Sequence, residues 1–360
     1  MPDGASDFGA VLHTRFCELA GCRLPIVQTG MGWVSGARLT AATSAAGGFG
    51  ILASITMSAD ELGRAIAKVK ARTANPFGVN VRADQPDLID RITLAGRQGV
   101  RLISFAGAPT REAVARIHDA GMVCMPTVGA RRHAEKVAEF GVDALIAQGG
   151  EGGGHTGTVP TSLLLPHVVD AVGASLPVLG AGGFVDGRGL VAALAYGADG
   201  IAMGTRFLLT QESTVPDAVK RRYLDAGVFD TVVTTAVDGA PQRVIRTEVI
   251  DRLERASPVL RFPRALKAAL GFRHITGTST RYLVAEGLAM RRTQDLTWSQ
   301  LAMAANAPMM TRSAMVEGNL DAGILPTGQN AGVIDDVPTV AELLDRIVAE
   351  AEVTLKRLSS

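Results

Sequence analysis

One histidine in this chain sits where an imidazole could do chemistry. The stretch Gln148-Gly149-Gly150-Glu151-Gly152-Gly153-Gly154-His155-Thr156-Gly157 holds six glycines in ten residues and no bulky apolar side chain. Glycine lets the backbone take positive φ and lets a flat ligand lie close to the main chain. An imidazole titrates near neutrality, which suits His155 to a general base or acid. An idle histidine in a flexible surface loop would read the same way locally. Loops held by a rigid scaffold carry function disproportionately, and this tilts the reading towards a ligand site.

Other residues could serve the same site. Gln28, Asn80 and Gln148 are amides expected at the ends of three different strands. Amides both donate and accept, so they fit the pyrimidine edge of a flavin or a ribityl chain. Each taken singly reads better as a satisfied core amide. Gly180-Ala181-Gly182-Gly183 and Met203-Gly204-Thr205 are glycine turns whose N–H groups could cradle a phosphate without a lysine. A plain tight turn stays open as an alternative for Gly182 and Gly183. No lysine lies between Lys136 and Lys220, which weighs against Schiff-base chemistry near these turns. The six histidines show neither HxH nor HExxH spacing, so no metal site is expected. There is no GxSxG elbow, no Walker A lysine and no dinucleotide fingerprint after an initial strand.

The elements that must position these residues are eight short apolar runs, at 24–29, 49–53, 77–81, 100–105, 122–128, 144–148, 177–180 and 200–203. Continuous apolar runs mark strands buried on both faces. Helical patterns separate most of them. Ser58 with Glu61 forms a capping-box pattern, and Pro109 is expected at the first helical position of its segment. Eight strand–helix units favour an α/β fold of the closed (β/α)8 TIM-barrel type over a doubly wound sheet. In such a barrel the site lies at the C-terminal ends of the strands. Gln28, Gly30 and Met31, Asn80, Gln148 to His155, Gly182 and Gly183, and Gly204 and Thr205 all fall there.

Residues 1–214 are thus expected to form the barrel. Residues 215–300 hold 14 Lys plus Arg against 9 Asp plus Glu and read as a basic helical cap inserted after strand eight. Lys220, Arg221 and Arg222 could line a groove for an anionic substrate handle, though solvated helix faces carry such charge at least as often. Residues 301–360 return to barrel-like composition, with an amphipathic helix from Val340 to about Leu358.

The whole chain has 360 residues and a net charge of +1, and only 4% of it is aromatic. That balance gives no argument for nucleic acid or a membrane surface. Three sparse cysteines without metal spacing suggest reduced thiols in a cytoplasmic setting. The first ten residues lack a signal-peptide pattern, and no run nears the ~18 apolar residues a membrane span needs.

Five stretches together carry a resemblance. They are Pro25-Ile-Val-Gln-Thr-Gly-Met31, Pro76-Phe-Gly-Val-Asn80, Gln148 to Gly157, Ala181-Gly-Gly183 and Ala202-Met-Gly-Thr-Arg-Phe207, with Leu325-Pro-Thr-Gly-Gln329 in addition. The chain resembles the FMN-dependent nitronate monooxygenase (2-nitropropane dioxygenase-like) family along nearly its whole length. The resemblance implies a TIM barrel with FMN as cofactor. Gln28, Gly30 and Met31 would lie along the flavin, Asn80 and Gln148 would hydrogen-bond it, and Gly153 and Gly154 would sit beside the isoalloxazine. Gly182, Gly183, Met203, Gly204 and Thr205 would hold its phosphate. His155 matches the catalytic histidine that takes an α-proton in nitronate-forming members.

Within the family the pattern is most similar to a CoA-thioester reductase branch of actinobacterial steroid degradation. Its substrate class is a bicyclic hydroxy-methyl-oxo-hexahydroindene-carboxyl-CoA, with NAD(P)H as reductant. The basic insertion suits the phosphates of CoA, which arginine binds well. Gly152 and Thr156 stand where alanine and arginine are expected, which leaves open whether His155 is base, acid or only positions substrate. A nitronate monooxygenase using O2, an enoyl-acyl-carrier reductase and a non-catalytic phosphate-binding barrel are the competing readings. A homodimer is compatible with each.

Overall fold

The computed structural model describes residues 8–255 and 298–360. Eight parallel strands close into a barrel: β1 (Ile26–Gln28), β2 (Phe49–Ala53), β3 (Gly78–Arg82), β4 (Leu102–Ala106), β5 (Val123–Val128), β6 (Leu145–Gln148), β8 (Val178–Ala181) and β9 (Gly200–Met203). Between β6 and β8 the chain makes one further short strand, β7 (Gly154–His155), which stays outside the barrel. Ile26↔Ile201, Val27↔Ala202 and Gln28↔Met203 close β1 onto β9. The fold is the TIM barrel expected from the eight apolar runs.

Strand residues alternate between two buried environments, which explains why the runs read as unbroken apolar sequence. Val27, Phe49, Ile51, Leu102, Met125, Ile146 and Leu179 belong to one buried cluster that also includes Phe16, Cys17 and Ala20. Ile26, Leu52, Val79, Ile103, Cys124 and Leu145 belong to the larger cluster formed with the outer helices. The helix Arg15–Ala20 closes the end of the barrel where the strands begin. Phe16 meets Phe49 edge-on at 5.9 Å, and Arg15 pairs with Asp199, just before β9, at 2.8 Å. The rim where the strands end is thus the open mouth of the barrel.

Local signals hold with one shift. Ser58 and Glu61 complete the capping box of the helix Ala59–Lys70. The segment after β4 begins later than expected: Thr110, not Pro109, marks its start. Thr110 caps the helix Arg111–Asp119, its hydroxyl accepting the Ala113 N–H at 3.1 Å. Proline therefore precedes the cap, because the threonine hydroxyl satisfies an orphan N–H that proline cannot.

After β9 the chain leaves the barrel. It runs through helices Thr205–Leu208 and Asp217–Leu224, a ribbon of β10 (Thr231–Thr234) and β11 (Gln242–Ile245), and helix Glu248–Arg255. Beside its helices, then, the insertion carries strands, and β11 pairs antiparallel with β7 to make a small sheet in the order β10-β11-β7. Residues 256–297 of the expected cap lie outside the described residues. The chain resumes in helix Trp298–Met315 and ends in helix Val340–Ser359, which Thr339 and Glu342 cap. That last helix packs between the helices Gly187–Ala195 and Ala37–Ala45, the place of the barrel's eighth outer helix. Gly187 permits the contact: a Cβ there would lie 2.3 Å from both Ala351 N and Ile347 O.

Candidate active site

Gln28 and Gln148 end β1 and β6, and the turns with Gly182, Gly183, Gly204 and Thr205 follow β8 and β9; Asn80, expected at the end of its strand, is instead the middle residue of β3, which runs on to Arg82. All the strands are parallel members of one barrel, so these residues share one rim. Contacts link them across it. Gly204 lies against Met31, where a Cβ would sit 3.3 Å from the thioether sulfur. A Cβ on Gly30 would come within 2.3 Å of Asn80 Cβ. Thr205 Oγ1 accepts the Gly328 N–H at 2.9 Å, and Gly153 leaves only 2.4 Å between a would-be Cβ and the Thr327 carbonyl carbon.

The amides are individually anchored. Gln28 is fully buried, and its Nε2 donates to Ser35 Oγ at 2.9 Å, to Ile51 O at 3.1 Å and to the Thr29 carbonyl. Its Oε1 is buried without a hydrogen-bond partner among the described residues. Asn80 Nδ2 donates to Ser104 O at 3.3 Å. Gln148 Nε2 donates to the His155 carbonyl at 2.7 Å and so ties the two ends of the glycine loop.

The loop's two unexpected residues have physical reasons. Alanine at position 152 would place a Cβ 2.7 Å from Gln148 Nε2, so glycine lets that amide cross the loop. Thr156 donates its hydroxyl to Gly149 O at 3.1 Å and its N–H to Pro241 O at 3.2 Å, closing the loop on itself and on the insertion. Gly154 takes φ of 66° with open space where a side chain would be, and Gly182 and Gly183 follow each other at φ 97° and 83°. Among the described residues no backbone carbonyl takes the N–H of Gly183 or Gly204. Backbone N–H groups left open in such turns can receive an anion.

His155 belongs to β7, opposite Gln242 of β11. Its Nε2 lies 2.7 Å from Asp238 Oδ2, with the imidazole 67% exposed and the carboxylate 10% exposed. The hydrogen bond to Asp238 raises the imidazole above its ordinary 6.5, against partial desolvation of the ring and the positive charge of Arg82. For Asp238 burial acts upward, but the hydrogen bond and charge of His155, with the Ala240 N–H, outweigh it and hold the carboxyl below its ordinary range. Sequence reasoning missed Asp238. Its one signal was the Asp238-Gly239 dipeptide, a turn mark that says nothing about a histidine 83 positions away.

The three basic residues expected in a substrate groove part company. Lys220 is buried, and its ammonium donates to Thr210 O at 2.8 Å and Ser213 O at 2.9 Å, while burial lowers its pKa. It is committed to the fold and not turned to a ligand. Arg221 is exposed. Arg222 lines a cavity of about 350 Å³ with Arg246, Arg252, Glu248, Asp321 and Leu325. Within it Arg246 is already paired with Asp251 at 3.0 Å.

A barrel closed at one end, with amides, glycine turns and one histidine gathered at the other, defines a (β/α)8 enzyme with a single-rim site. The chain belongs to the nitronate monooxygenase family, whose profile matches residues 13–350, and it is an oxidoreductase of that flavin-dependent family. It is 57% identical over 350 residues to the (3aS,4S,5R,7aS)-5-hydroxy-7a-methyl-1-oxo-octahydro-1H-indene-4-carboxyl-CoA dehydrogenase of Mycobacterium tuberculosis, covering 97% of this chain and 99% of that one. The enzyme of the same name from Rhodococcus jostii is 54% identical, with 98% of each chain covered. Among solved structures, FabK from Thermotoga maritima superposes with a TM-score of 0.80 at 33% identity, covering 96% of this chain and 98% of that one. No helix among the described residues is long and apolar enough to cross a membrane.

Proposed function

We propose that this protein is an FMN-dependent oxidoreductase acting on the ring carbons next to the thioester of a bicyclic, steroid-derived carboxyl-CoA, with NAD(P)H or its oxidised form as the second substrate. The observation that carries the reading is the 57% identity, along almost the whole of both chains, to a dehydrogenase named for such a thioester. The sequence alone suggested reduction of a hexahydroindene C=C bond. The relatives' names describe removal of hydrogen from an octahydroindene, so oxidation is the direction we propose. A site that stabilises one transition state serves both directions.

The residues suit FMN. Unclaimed N–H groups at Gly183 and Gly204 meet the need of a phosphate, with Gly182, Met203 and Thr205 around them. The buried Oε1 of Gln28 lacks a donor among the described residues, and a flavin edge offers ring N–H groups. Gly30, Met31, Asn80, Gln148, Gly153 and Gly154 would complete the cradle. Bound FMN would supply the two-electron acceptor. The chain's own residues then bind the thioester, exclude water and handle the proton at the carbon α to its carbonyl, for which His155 is the group at hand. Of the expected basic trio, Arg222 lines the cavity and is suited to an anionic CoA handle.

The test is anaerobic mixing of the purified, FMN-loaded protein with the octahydroindene-4-carboxyl-CoA. Bleaching of the flavin absorbance, followed by recovery on adding NAD+ or NADP+, is expected. No bleaching with this thioester defeats the proposal. The family profile supports a second reading, oxidation of alkyl nitronates by O2. Turnover of propionate 3-nitronate without any CoA thioester activity would favour it.

A further inference from the structure

The inserted ribbon delivers a carboxylate to the glycine loop, and the backbones on both sides are clamped before the side chains meet. On the loop side, Gly154 and His155 pair with Arg243 and Gln242 in the small sheet, and the His155 carbonyl takes the Gln148 amide at 2.7 Å. Arg243 reaches across to Gly150 O at 2.9 Å. On the ribbon side, Asp238 Oδ1 accepts the Ala240 N–H at 3.1 Å, and Gly239 at φ 91° turns the chain. The result is a sheltered aspartate, 10% exposed, holding one edge of a ring that is 67% exposed. A neutral imidazole has one N–H and one lone pair, and the hydrogen bond made by one nitrogen decides which nitrogen keeps the lone pair.

We propose that Asp238 is a positioning residue for His155: it takes the Nε2–H of the neutral ring, so that proton transfer with the substrate runs through Nδ1. The proposal rests on the proton-handling role given to His155 above. In the step concerned, the C–H bond α to the thioester carbonyl breaks and its electron pair stays with the carbon. The proton adds to Nδ1, and the carboxylate of Asp238 offsets the positive charge of the imidazolium so formed. The other charged groups near the ring are placed differently. Arg82, at the end of β3, opposes the protonated form. Arg243 is turned to Gly150 O, and Glu151 is held by the N–H and hydroxyl of Thr161 at 2.9 and 2.7 Å.

The experiment uses the FMN-loaded protein with 15N-labelled histidine, His155→Gln to assign the signal, and the variants Asp238→Asn and Asp238→Glu. In the wild type above its titration midpoint, Nδ1 is expected in the unprotonated range and Nε2 in the protonated range. Asp238→Asn should lower the midpoint by about one pH unit and mix the two tautomers, and Asp238→Glu should restore both in part. A second readout is exchange of the α-proton of the octahydroindene-4-carboxyl-CoA in deuterated buffer, whose pH profile should move with the NMR midpoint. A wild-type ring protonated on Nδ1, or a tautomer and midpoint untouched by Asp238→Asn, overturns the proposal. So does an exchange profile that stays fixed while the NMR midpoint moves. If the ring behaves as expected but the wild type exchanges no α-proton, the proton route and the proposed reaction both fall, whereas the tautomer measurement needs no turnover and judges the pairing separately.

Discussion

Gly30 and Asn80 meet across the barrel mouth with no room for a side chain between them. A Cβ on Gly30 would lie 2.3 Å from Asn80 Cβ and 2.8 Å from its Cγ. Asn80 has little freedom to move, being 8% exposed and tied to Ser104 O. Gly30→Ala must therefore displace the amide proposed to hydrogen-bond the flavin. Fluorescence titration of the apoprotein with FMN should show about tenfold weaker binding, ~1.4 kcal/mol. Unchanged affinity would remove Asn80 from the proposed flavin contacts.

The His155–Asp238 pair predicts a bounded pH window for its contribution to folding. Its hydrogen bond to Asp238 raises the imidazole above 6.5, so that contribution is complete below 6.5 and fades as pH climbs through the folded value. The carboxyl of Asp238 is depressed below 3.8, so its contribution is present above 3.8 and fades as pH falls through the folded value. Both operate between 3.8 and 6.5. Because the ring is largely exposed, the effect is small, under ~1 kcal/mol. Thermal melts of wild type against His155→Gln should differ most inside that window and converge on the alkaline side. A gap that widens with rising pH contradicts the assignment.

Lys220 should behave as a structural residue. Lys220→Ala strips the carbonyls of Thr210 and Ser213 of a charged donor in a buried setting. Urea unfolding should register a loss of ~2–3 kcal/mol. KM for a CoA thioester should stay within about twofold, a difference under ~0.5 kcal/mol. A large rise in KM with stability intact would restore the lysine to the substrate groove.

Gly187→Ala tests the closing helix. The new Cβ would collide with the backbone of Ile347 and Ala351, neither of which can rotate away as a side chain could. Overpacking of this kind costs ~1–3 kcal/mol. Hydrogen exchange should quicken first in residues 340–359 and in the helix Gly187–Ala195. Uniform protection matching the wild type would show that the contact is slack.

What the sequence disclosed follows from what each signal depends on. Barrel strands such as Leu102–Ala106 and Leu145–Gln148 were legible because burial on both faces leaves continuous apolar runs, and the rim glycines were legible because they punctuate those runs. The ribbon was not. Thr231-Val-Val-Thr234 and Gln242-Arg-Val-Ile245 are short and mixed, and their pairing with Gly154–His155 is set by three-dimensional registry. Asp238 was therefore invisible as a partner of His155. Lys220 failed for another reason. A Lys-Arg-Arg run reads as a solvent face, but the helix Asp217–Leu224 turns Val219, Lys220 and Tyr223 inward, and composition carries no information about direction.

The carboxylate that meets His155 arrives on an excursion that departs after β9 and rejoins the cylinder through its final helix. A change confined to the turn that carries Asp238 would therefore reach the basicity of the histidine while every strand of the barrel kept its partners.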